Sequence, residues 1–185
     1  MVQGGSVLQR PAGATMPALQ HLANIGASRS LWVARAVAFI QTHDLSKEIL
    51  AWAETSLSGS PAFQFLCPRE QVTLVARYAH MLQKHQVNPT TSRVIFQVDQ
   101  SIDYCPTGVD VAPCICPNGK YWESVLMRPL SAHEHAALQG IGAAEREFFH
   151  LGDIGCSRWK DLAGNAFSGT VCVAVLLGAL SAWRT

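Results

Sequence analysis

The twelve positions from Val171 to Ala182 read Val-Cys-Val-Ala-Val-Leu-Leu-Gly-Ala-Leu-Ser-Ala, and no charge interrupts the chain from Ala166 to Trp183. At helical spacing Leu176, Leu177 and Leu180 take one side and Cys172, Val175 and Ala179 another, so no face is left for water. A helix of that kind demands a cover. It is expected to be buried all round, under the chain's own helices or under a domain the chain lacks, and to anchor everything else. Gly164 and Asn165 are ready turn formers, and Ser168, Gly169 and Thr170 supply capping chemistry. The sequence therefore predicts a turn at 164–166 and a helix starting near Ser168. A membrane span is the competing reading. The uncharged stretch is barely long enough for a hydrocarbon core of about 30 Å, and its first third is Gly, Ser and Thr rather than Leu or Ile, which weighs against a membrane.

At 185 residues the chain has the length of one ordinary domain with its own core. Its charged fraction is 15% and its hydrophobic fraction 49%, a balance that suits a chain hiding surface in a larger assembly or against a partner domain. The formal net charge of +1 gives no long-range pull on nucleic acid, so DNA binding by the chain alone is expected to be weak and strongly salt-dependent. Six cysteines in no repeated spacing, with no apolar run behind a basic N-terminal start, predict a reduced intracellular protein. Cys105, Cys114 and Cys116 with His133 and His135 are the candidate zinc ligands. Cys-x-Cys and His-x-His match none of the usual structural spacings, so no metal is expected.

Residues 1–27 are rich in Gly, Ala, Pro and Gln without an apolar period, and read as a loose lead-in. In the segment 28–60, Trp32, Ala36, Phe39 and Ile40, then Leu45, Ile49, Trp52 and Ala53, predict two short helices. Ser58-Gly59-Ser60-Pro61 breaks the pattern and is the best candidate boundary. In the segment 61–127, Cys67-Pro68-Arg69-Glu70 opens a helix whose stripe is Val72, Val75, Tyr78, Ala79 and Leu82, ending before Asn88-Pro89. Val94 to Val98 reads as a strand. The Pro117-Asn118-Gly119-Lys120 turn suggests a hairpin between Ile115 and Tyr121-Trp122. In the segment 128–185, Ser131 and Glu134 form a capping box, Leu138 is expected to pack the helix, and Gly140 stops it.

Two of these blocks resemble the cytosine-5 DNA methyltransferase family. Arg128 to Ile141 is similar to the family's ninth motif, Arg-x-Leu-Thr-x-x-Glu-x-x-x-Leu-Gln-Gly-Phe, with Ser131 for Thr and Ile141 for Phe. Gly164-Asn165-Ala166-Phe167 with the apolar helix resembles the tenth, Gly-Asn-Ser-Val before an apolar helix, with Ala166 for Ser. Gln97 to Asp103 and the Pro-Asn-Gly-Lys turn look like the target-recognition part that precedes the ninth motif in some members. The likeness spans roughly Cys67 to Trp183. The family's Pro-Cys-Gln nucleophile loop, Phe-x-Gly-x-Gly cofactor turn and Glu-Asn-Val motif have no counterpart in the chain. Pro113-Cys114-Ile115 lacks the Gln, so Cys114 is expected to be structural and no catalytic residue is assigned.

The resemblance implies an α+β, mostly helical chain, an incomplete C-terminal portion of a Rossmann-like S-adenosylmethionine-dependent methyltransferase with part of its recognition region. It implies S-adenosylmethionine contacts at Gly164, Asn165 and Ala166, where helix N-terminal amides would meet the methionine carboxylate. It implies a recognition scaffold of Arg128, Glu134 and Gln139, DNA as partner, a complementing N-terminal catalytic half, and a nuclear location in a eukaryote. A fragment or degenerate copy of this kind is expected to be inactive alone. The alternatives are a non-enzymatic helical interaction protein and, behind it, a single-span membrane protein.

Overall fold

The computed structural model describes residues 31–143, 155–165 and 169–182; the expected lead-in and Ala166 lie outside them. Four helices come first: α1 (Leu31–Thr42), α2 (Lys47–Ser58), α3 (Pro61–Gln64) and α4 (Pro68–His85). Each break has a local cause. Asp44 takes a positive φ of 46° after α1. Ser46 then caps α2 by accepting from the Ile49 amide, and Ser60 caps α3 by accepting from Phe63. Pro68 fills the first turn of α4, where its missing N–H costs nothing. Glu70 reaches back to accept from the Cys67 amide at 3.1 Å. Gln86, at a φ of 56°, ends α4 in the left-handed region.

Four short strands follow, β1 (Val94–Gln97), β2 (Thr107–Val109), β3 (Tyr121–Glu123) and β4 (Arg128–Pro129), then α5 (Ala132–Leu138), α6 (Cys156–Asn165) and α7 (Gly169–Ala182). The sheet order is β2-β1-β3-β4, and every pairing among the described residues is antiparallel. Strand periodicity splits the central strand between two cores. Val94 and Phe96 face the helices, whereas Ile95 joins Ile115, Tyr121 and Leu130 on the other side.

The larger core runs from Ala36 and Phe39 through Leu50, Leu57, Phe63, Val75 and Tyr78 to Phe96 and Trp122. It therefore crosses Ser58-Gly59-Ser60-Pro61, which is a capped joint between two helices and not a boundary between cores. Trp122 is fully buried opposite Phe96, and its indole N–H donates to the Tyr78 hydroxyl at 3.0 Å. Tyr78 Oη in turn donates to the Ser124 carbonyl at 3.3 Å. Lys120 ties the sheet to the start of α4 through a 2.7 Å bond to Glu70. Burial pushes that carboxyl up, but Lys120 and the Cys67 amide outweigh it, so Glu70 lies below its ordinary value.

Further expectations need correction. Ile115 does not pair with Tyr121-Trp122 in a hairpin: β3 pairs with β1 and β4, and the Asn118-Gly119 turn is closed by the Gly119 amide on the Cys116 carbonyl. Strands β1 and β4 occupy both edges of β3, which leaves none for Ile115. Leu138 does not pack its helix, being 41% exposed; Ala132, Ala136 and the buried His135 form that face instead. Most consequentially, α7 is not a core element among the described residues. Val173, Val175, Leu176, Leu177 and Leu180 are each more than half exposed, because no other described element covers them. Among the described residues, no helix is long and apolar enough to cross a membrane.

Candidate recognition scaffold and cofactor turn

The block from Arg128 to Gly140 forms as its local chemistry dictates. The Ser131 hydroxyl accepts from the Glu134 amide at 3.2 Å and Glu134 accepts from the Ser131 amide at 2.7 Å, which satisfies two of the free amides at the start of α5. Gly140 at a φ of 80° provides the stop. Arg128 adds a second use of the same carboxylate: its Nη1 and Nη2 donate to the two oxygens of Glu134 at 2.8 and 2.7 Å. This guanidinium, more than the Ser131 amide, holds the Glu134 carboxyl down at about 2 against the opposing effect of burial. A carboxylate held this low stays charged near neutral pH. Arg128 and Glu134 thus brace β4 against α5. Gln139 closes the helix, and its side chain has no hydrogen-bond partner among the described residues.

A further residue holds this block in place. His135 is fully buried, with its ring nitrogens 2.8 Å from the Ser131 carbonyl and 3.2 Å from the Gly119 carbonyl, and its ring lies 5.1 Å from that of Tyr121. It ties α5 to the 116–120 turn. The only sequence signal was a polar residue on the face that also carries Ala132 and Ala136. His133, two residues away, instead meets Trp159 of α6 at 6.1 Å between ring centroids.

Gly164 and Asn165 occupy different positions from those expected. They form the last turn of α6, not an entry turn to α7. A helix C-terminus presents free carbonyls and partial negative charge, so these residues do not offer amide donors to a carboxylate. The Asn165 side-chain amide donates to the Asp161 carbonyl at 2.8 Å, one turn back. The open side of Gly164 is filled as well: a Cβ there would lie 2.1 Å from Pro117 N and 2.3 Å from the Cys116 carbonyl carbon. In this arrangement the backbone amides of Gly164 and Asn165 belong to the last turn of α6, and Ala166 lies outside the described residues. The glycine is present because α6 sits directly on the 116–117 backbone, and close approach is what a residue without Cβ permits.

That contact predicts a large local cost for a small change. Gly164→Ala gains about 1 kcal/mol of helix propensity, but backbone at 2.1 Å cannot yield as a side chain would. The balance is expected to be a loss of about 1–3 kcal/mol by overpacking. Faster amide exchange in α5 and α6, with α4 unchanged, would show it; a stabilised protein would mean that α6 does not rest on this loop.

The candidate zinc ligands do not gather: among the described residues no group of three or more His, Cys, Asp or Glu side chains could hold a metal ion. Cys105 is buried against the larger core, and burial pushes its thiol up to about 11. Cys114 is exposed, and its carbonyl accepts from Tyr121 Oη at 2.8 Å. Tyr121 Oη also accepts from the Cys116 amide at 2.7 Å, so this loop is braced through its backbone. Comparison of the chain with family models, with curated proteins and with solved structures returns no match.

Proposed function

We propose that this chain is a fragment or degenerate copy of a cytosine-5 DNA methyltransferase, supplying recognition scaffold and closure for a cofactor domain whose catalytic half lies elsewhere. The observation that carries the reading is the brace at Arg128, Ser131 and Glu134. These are the residues of the ninth-motif pattern, and they act together as one capped and ion-paired unit. The apolar helix follows them in family order, and its uncovered leucines suit a chain that is completed by another. DNA is the proposed partner of the completed assembly. Gly164 and Asn165 are given no cofactor role within the chain by itself, and S-adenosylmethionine is proposed to be held mainly by the catalytic half.

Covalent attack on the cytosine ring needs an activated thiolate, and no loop of that kind is present among the described residues. The purified chain is therefore expected to transfer no label from S-adenosylmethionine to cytosine-containing DNA. Mixed with a catalytic half of a cytosine-5 methyltransferase truncated before its own ninth motif, it is expected to restore transfer above that of the half alone. Transfer by the chain alone, or no gain from its addition, would remove this reading. The alternative of a non-enzymatic interaction protein draws on the same uncovered face of α7, and association without methyl transfer would favour it.

A further inference from the structure

Between the first turns of α1, the start of α4 and the loop after β1 lies a cleft of about 240 Å³, outside the braced block and independent of the methyltransferase reading. Its wall is apolar at Trp32 and Ile102, and its polar groups are Arg35, Arg69, Thr73 and Ser101. No carboxylate lines it. Arg69 and Thr73 lie one turn apart on α4, so both reach the same side of that helix. Arg69 is fixed by donating from Nη2 to the Asp99 carbonyl at 2.8 Å. Arg35 has no ion-pair or hydrogen-bond partner among the described residues and stands one turn after Trp32 on α1.

We propose that this cleft binds a small organic anion, with its phosphate or carboxylate between Arg35 and Arg69 and its apolar body against Trp32 and Ile102. Guanidinium groups match either head group through paired N–H donors. The hydroxyls of Thr73 and Ser101 supply further donors at the same wall. A volume below the usual range for drug-sized ligands limits the body to about one ring.

Isothermal titration of the full chain with phenyl phosphate, benzoate and inorganic phosphate tests this. At least one of the two ring-bearing anions is expected to bind about tenfold or more tightly than inorganic phosphate, and Arg35→Gln is expected to weaken that binding about tenfold. Which of the two binds more tightly identifies the head group. Arg35 is exposed and has no partner among the described residues, so its replacement should leave the melting transition unchanged, and Lys47→Gln, a surface cation outside the cleft, should leave binding unchanged. The proposal is overturned if neither ring-bearing anion binds, if inorganic phosphate binds as tightly as they do, or if Lys47→Gln weakens binding as much as Arg35→Gln.

Discussion

Trp122→Ala is expected to destabilise the protein by about 4 kcal/mol, the cost of emptying a fully buried aromatic site in a core that cannot collapse around it. Trp122 is where the sheet meets the helices. Its ring packs edge-on to Phe63 at 6.4 Å between centroids, it stands opposite Phe96 in the β1–β3 register, and it supplies the hydrogen bond received by Tyr78. Removing it leaves a cavity and takes away the indole donor of the Tyr78 hydroxyl, which keeps only its bond to the Ser124 carbonyl. Urea unfolding followed by circular dichroism measures the loss. Tyr78→Phe, which removes only the hydroxyl, should cost about 1 kcal/mol. Equal losses for the two variants would mean that the ring contributes little and that the core is not organised around this contact.

Acid is expected to weaken the same helical layer. His80 lies on α4 between Phe39, His43 and His85, with ring centroids at 5.4, 4.3 and 5.0 Å, and its Nδ1 is buried without a hydrogen-bond partner. Burial, followed by the nearby charges of His43, Arg77, His85 and Lys84, lowers its pKa from 6.5 to about 4. Between those values the unfolded chain binds a proton that the folded chain does not. Stability is therefore fully present above about pH 6.5 and falls as pH drops toward 4. Denaturation midpoints at pH 7.5 and 5 measure the slope. His80→Gln should flatten it, and a wild-type slope that persists in the variant would place the acid sensitivity elsewhere.

What could be read from the sequence was what is decided locally. Helix α4 followed from a proline, a glutamate and an apolar stripe, and α5 followed from Ser131 and Glu134; both depend on residues within a turn or two of each other. Strand β1 was legible from its β-branched and aromatic run. Its partners were not, because pairing with β2 and β3 joins segments separated by long loops. Gly164 shows the limit most clearly. Its residue type suggested a turn, but the demand for it comes from the Cys116–Pro117 backbone packed against it, a tertiary fact with no local signature. The cluster of His43, His80 and His85 was invisible for the same reason. In α7 the pattern correctly gave a helix without a polar face, and of the two covers it allowed, the chain's own helices or a domain the chain lacks, the described elements do not supply the first.

That last point is the centre of the account: no other described element covers the apolar face of α7. Thermal melting of Leu176→Asp against wild type tests it most directly. Leu176 is 61% exposed, so a carboxylate there stays in water and carries no burial penalty. The account predicts an unchanged melting transition with higher solubility. Loss of the cooperative transition would contradict it, because a charge at Leu176 can unfold the protein only if that side chain is packed inside it.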